Sequence, residues 1–144
     1  MGNKIKEYKF SIVVPCFNEA GAIAKTVKDI FATLKEWQKL EKISYEMIFV
    51  NDGSTDKTLQ ELIKLEKNYS CLKVINSEAN RGYGASLKKG IQLSKYDSIV
   101  ITDADGTYPN ERIPELMSLT MNVIFVVESC FHNSTFALFG PAEK

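Results

Sequence analysis

Asp103 and Asp105 are separated by a single alanine at the end of an apolar run. Residues two apart on an extended chain share one side and lie roughly 7 Å apart along it. Two carboxylates so placed can reach one ligand while Ala104 turns away. Carboxylate oxygens suit hard cations such as Mg2+ or Mn2+, and a hard cation with few protein ligands commonly completes its shell with substrate phosphates. The same residues also read as an Asx-type turn with Asp105-Gly106 at its corner. D-x-D is short and common, so alone it favours the turn. At the end of a buried strand, beside other polar clusters, it favours the metal.

Two such clusters exist. Pro15-Cys16-Phe17-Asn18-Glu19 follows one apolar run, and Asn51-Asp52-Gly53-Ser54-Thr55-Asp56 follows another. An aspartate in the position of Asp52 can accept a hydrogen bond from a base N–H. Asp52-Gly53 suits a turn equally well, and both readings can hold together. Asp56 falls in a first helical turn and reads as cap and dipole chemistry. Asn80-Arg81-Gly82-Tyr83-Gly84 contains G-x-G, but Leu87 stands where the dinucleotide fingerprint requires glycine. That segment reads as a flexible loop before a helix, with Arg81 solvated. No P-loop, G-x-S-x-G or H-E-x-x-H occurs.

The elements that must position these clusters alternate along the chain. Phe10–Pro15 is a β-branched run closed by proline, hence a buried strand. Ile23, Val27, Ile30, Phe31, Leu34 and Trp37 recur at helical spacing, predicting a helix over about Ala20–Leu40. Tyr45–Val50 is a second strand, and Ser54 or Thr55 can cap the helix that carries Leu59, Leu62 and Ile63. Leu72–Ile75 is a third strand, followed by a helix over about Ala85–Ser94. Ser98–Thr102 is a fourth strand, Pro109–Leu119 a helix and Met121–Val127 a fifth strand. This order predicts right-handed crossovers and a mostly parallel α/β sheet with helices on both faces. The strands are continuously apolar, as such a sheet requires. Ligands then bind beyond the carboxyl ends of the strands, where all three clusters fall.

The 144 residues suit one domain, and 44% apolar with 25% charged residues is ordinary globular composition. Lys+Arg and Asp+Glu are both 18, so nothing in the charge points to nucleic acid. Cys16, Cys71 and Cys130 are odd in number and make no C-x-x-C pair, which argues against zinc or a disulfide framework and for a reducing cytoplasm. His132, the only histidine, reads as surface or core filler. The polar segment Met1–Lys9 lacks a signal-peptide core, and Met121–Val127 is too short to span a bilayer.

Taken together, four blocks resemble family 2 glycosyltransferases of the GT-A fold. Ile12–Glu19 is similar to their V-x-P-x-Y-N-E opening and Val50–Thr58 to V-D-D-G-S-x-D-x-T. Asn80–Gly90 and Ile101–Pro109 match two further blocks in the right order, so the resemblance covers about Phe10–Leu119. The nearest in character are dolichyl-phosphate and polyprenyl-phosphate hexose synthases. The resemblance implies a nucleotide pocket of Pro15, Phe17, Asn18, Glu19, Asp52 and Asp103, with Asp52 on the base. It implies catalysis through Asp103 and Asp105, with Mg2+ or Mn2+ held by Asp105 and Asp103. Its reaction is transfer of a hexose from a nucleoside-diphosphate sugar, such as UDP-glucose or GDP-mannose, to a polyprenyl-phosphate or glycan acceptor, as in cell-wall or polysaccharide synthesis. An ionised lipid phosphate would need no strong general base.

The pattern has departures. Phe17 replaces the usual tyrosine, and Asn51 replaces the first aspartate of its pair. Residues 10–127 are expected to form the nucleotide-sugar domain, after a polar segment 1–9 and before a divergent tail 128–144. The acceptor half of the family is not recognised, so a catalytically incomplete nucleotide-sugar and metal-binding module is the alternative. Apolar surface left without that half would favour a homo-oligomer. The expected location is the cytoplasm, including the cytoplasmic face of a membrane for a lipid acceptor.

Overall fold

A computed structural model describes residues 6–119, 125–127 and 137–139. Within them β1 (Glu7–Cys16), β2 (Lys42–Asp52), β3 (Leu72–Ser77), β4 (Ile99–Ile101), β5 (Phe125–Val127) and β6 (Ala137–Phe139) form one sheet in the order β3-β2-β1-β4-β5-β6. All neighbours pair in parallel except β5 and β6. Four helices are described: α1 (Ile23–Gln38), α2 (Thr58–Asn68), α3 (Tyr83–Gln92) and α4 (Ile113–Leu119), the last preceded by a 3-10 turn over Asn110–Arg112.

Alternation along the strands sends side chains to two different covers. Phe10, Ile12 and Val14 of β1 and Met47 and Phe49 of β2 pack with Ile23, Val27, Ile30 and Leu34 of α1, Leu62 of α2 and Met117 of α4. On the other face, Val13 packs with Ile99, Ile101 and the α3 residues Leu87 and Ile91. Gly90 brings α3 down onto this face, since a Cβ there would stand 2.4 Å from Val13 Cγ1. The predicted two-faced parallel sheet is therefore present.

Chain order within the sheet creates the crevice. β1 is followed outward by β2 and then β3, and the chain then returns to pair β4 against the opposite edge of β1. α3 makes that return across the second face, as right-handed crossovers demand. The reversal between β1 and β4 is the topological switch point where α/β sheets open to ligands.

The strands exceed their apolar cores. β1 begins at Glu7 rather than Phe10, because Glu7, Tyr8 and Lys9 pair with Lys42, Ile43 and Ser44. Backbone pairing needs no apolar side chain, and the Tyr8 ring still lies tilted against Trp37, 4.9 Å between centroids. β6, which adds an antiparallel edge, has no counterpart in the sequence reading. Cys130 and His132 lie outside the described residues.

Candidate functional site

The loop after β1 and the loop after β2 are stitched together by short polar side chains. The Asn18 amide donates to Ser54 Oγ at 3.0 Å, and Asn18 Oδ1 accepts from the Thr55 and Asp56 amides at 2.8 and 3.2 Å. Asn18 adopts φ 53°, a left-handed conformation that asparagine tolerates better than most residues. The Glu19 amide donates to Thr58 Oγ1, and the Ala20 amide to Asp56 Oδ2. Asp56 Oδ1 accepts from the Thr58 amide and hydroxyl, which holds its carboxyl below the ordinary value. Asp56, rather than Ser54 or Thr55, thus organises the start of α2. Asn18 belongs to this stitching and not to the cavity wall described below.

Asp52 is 4% exposed. Its Oδ1 accepts from the Arg81 amide at 2.8 Å and its Oδ2 from the Gly82 amide at 2.9 Å. The segment expected to be flexible is therefore pinned at two backbone amides. Gly53 permits this approach: its φ is +66°, and a Cβ there would fall 2.4 Å from the Asn80 amide nitrogen. The Arg81 side chain lines a separate cavity with Lys88 and Lys89.

The Asp103–Thr107 loop is fixed at three points. Thr102 Oγ1 donates to Asn110 Oδ1 at 2.8 Å, closing the loop at its base. Thr26 Oγ1 of α1 donates to the Ala104 carbonyl at 2.9 Å and buries Ala104. Asp105 Oδ1 accepts from the Thr107 amide and hydroxyl at 2.9 and 2.7 Å, an Asx turn completed by Gly106 at φ 77°. The turn reading and a ligand-facing aspartate coexist, because a carboxylate has lone pairs to spare.

These loops enclose one cavity of about 320 Å3. Its wall contains Pro15, Phe17, Glu19, Asp52, Asp103 and Asp105, six of the seven residues expected there. Residues that sequence reasoning did not assign, Asn80, Gly82, Tyr83 and Ser86, complete the side formed by the start of α3 and the loop before it. Tyr83 Oη donates to Asp103 Oδ1 at 3.4 Å. Proximity in the chain could not reveal these partners, since 17 or more residues separate them from the acids.

The cavity is electrostatically negative. Glu19 has its carboxyl pushed above the ordinary value by burial, then by Asp105, Asp103 and Asp56. Cys16 has its thiol driven far up by burial and by Glu19 and Asp103, so it stays protonated and donates to the Val14 carbonyl. No cluster of three metal-ligating side chains occurs among the described residues. One or two carboxylates with substrate phosphates are the usual Mg2+ arrangement, so Asp103 and Asp105 fit a hard cation as donors. No helix among the described residues is long and apolar enough to cross a membrane.

Known proteins resemble this chain in sequence and in fold. The profile of Glycosyl transferase family 2 matches residues 11–133. The uncharacterized glycosyltransferase sll0501 of Synechocystis sp. is 38% identical over 109 residues, covering 76% of this chain and 33% of its own length. Dolichyl-phosphate beta-glucosyltransferase ALG5A of Trichomonas vaginalis is 32% identical over 97 residues, covering 67% of this chain and 30% of its own. The chain thus spans about a third of the length of the curated relatives it matches. A mannosyltransferase from Pyrobaculum calidifontis, solved in complex with GDP-Man and Mn2+, superposes with a TM-score of 0.60 at 24% identity over 72% of this chain and 29% of its own. That likeness places the sheet in the GT-A fold. With its profile matched from β1 through β5 and over all three polar loops, the chain belongs to glycosyl transferase family 2.

Proposed function

We propose that this chain holds the nucleoside-diphosphate sugar of a hexosyltransferase in the cavity between β1, β2 and β4. The observation that supports it most is the meeting of Asp103, Asp105, Glu19 and Asp52 on one wall at the topological switch point. Asp52 stands where a base N–H can be read. Pro15 and Phe17 supply the apolar surface against which a base lies, and Phe17 is half exposed to receive it. Asp105 and Asp103 would hold a divalent cation, Mg2+ or Mn2+, which when bound neutralises charge on the departing nucleoside diphosphate. The Asx turn at Asp105 keeps that carboxylate oriented before the donor arrives, so little reorganisation is needed on binding.

The relatives' names support a phosphorylated polyprenol as acceptor, with a glycan as the competing class. UDP-glucose and GDP-mannose are the donors to test. Release of nucleoside diphosphate from each should be measured with Mn2+, with and without polyprenyl phosphate. Turnover that depends on acceptor establishes the transferase. Mn2+-dependent donor binding without turnover would show that this chain binds the donor but does not transfer it. Absence of binding to either donor would refute the proposal.

A further inference from the structure

We propose that Ser86 is a donor-recognition residue whose buried hydroxyl turns about χ1 to hydrogen-bond the nucleoside of the donor beside Asp52. The inference rests on the nucleotide-sugar reading above. Ser86 lies in the first turn of α3 and is 2% exposed, yet its Oγ has no hydrogen-bond partner. A helical serine without another partner ordinarily returns its hydroxyl to the carbonyl four residues back. Ser94 does so, donating to the Gly90 carbonyl at 2.8 Å. In Ser86 only the backbone follows this pattern, its amide donating to the Gly82 carbonyl at 3.2 Å. Buried hydroxyls left unsatisfied are rare in native proteins and call for a reason.

Position supplies the reason. Ser86 and Asp52 are the two residues shared by the acidic cavity of about 320 Å3 and a second cavity of about 530 Å3. They therefore stand together on the partition between the two spaces. Gly82 lines the acidic cavity, and a Cβ on it would meet nothing within 4 Å. The start of α3 carries the positive end of the helix dipole, which favours an electronegative ligand atom. A carbonyl of the base or a hydroxyl of the ribose satisfies a serine hydroxyl, which can donate or accept. Asp52, already receiving two amides, reads an N–H of the same nucleoside. One wall thereby offers an acceptor and an adaptable hydroxyl.

The test is calorimetric titration of UDP and of GDP, each with Mn2+, into the full chain and its Ser86→Ala variant. Melting temperatures are recorded without nucleotide. Removing an unpartnered hydroxyl should leave the unliganded melting temperature equal or higher, while the bound nucleotide weakens about tenfold. Equal affinity in the variant overturns the inference and leaves the nucleotide-sugar reading intact. A lower unliganded melting temperature marks Ser86 as structural and overturns it as well. If the wild-type chain binds neither nucleotide, the underlying reading fails and the inference falls with it.

Discussion

Asp52 and Asp105 both follow apolar strands and face the same cavity, yet their surroundings give them different work. Asp52 is buried, and each of its oxygens accepts a backbone amide from a loop about 30 residues away. Asp105 is exposed, and its described bonds go only to Thr107, two residues on. After burial, it is also the main influence that raises the carboxyl of Glu19 across the cavity. One acid ties two loops together and the other lies open to the cavity. Hydrogen-bond neighbours, rather than residue type or place in the sheet, separate the two roles.

The contrast can be broken most forcefully at Gly53. Gly53→Ala drives a Cβ into the Asn80 and Ala79 backbone at a left-handed φ. It should cost about 4 kcal/mol in urea unfolding, because the loop held by Asp52 must move. A loss under 1 kcal/mol would show that the loop yields freely.

Asp105→Asn should behave in the opposite way. The amide oxygen preserves the Asx turn, so the urea midpoint should stay put. Mn2+-dependent nucleotide affinity should fall about 100-fold, equal to about 2.7 kcal/mol. Unchanged affinity would refute the metal assignment. Asp52→Asn sharpens the comparison from the other side. Replacing one charged acceptor by an amide that repels a backbone N–H should cost about 2 kcal/mol of stability.

Acid titration separates the regions by sign. Burial and neighbouring acids raise the Glu19 carboxyl, so the folded state binds its proton more tightly than the unfolded chain. Its contribution to stability is full below the unfolded value and is lost as pH rises through the folded one. Asp56 is held down, chiefly by the Thr58 hydroxyl, so its contribution is present above the unfolded value and is lost as pH falls through the folded one. Glu19→Gln should flatten the decline of stability with rising pH. Asp56→Asn should flatten the decline on acidification. Denaturant midpoints from pH 3 to pH 7 read both, and slopes unaltered by either change would contradict the assignment of these groups.

Much of this was legible in the chain. Ile23 to Trp37 announce α1 by spacing, and the continuous apolar runs announce strands covered on both faces. The rule about strand ends brought the three clusters to one crevice, and the family resemblance singled out Pro15, Phe17, Asn18, Glu19, Asp52, Asp103 and Asp105 within them. Asn18 was the exception, since its carboxamide serves the neighbouring loop. Strand limits were short at Glu7 and Lys42, where pairing with a neighbour extends β-structure into polar residues.

Local periodicity and turn chemistry suffice for the cores of β1 to β4, for the helices, and for the acids at strand ends. Packing across the sheet is what sends α3 to the second face, gives Asp52 the amides of Arg81 and Gly82, and sets Ser86 in the same wall. Those contacts join positions about 30 residues apart. They exist only after the chain reverses direction at β1 and packs Gly90 against Val13, a geometry that no local pattern encodes.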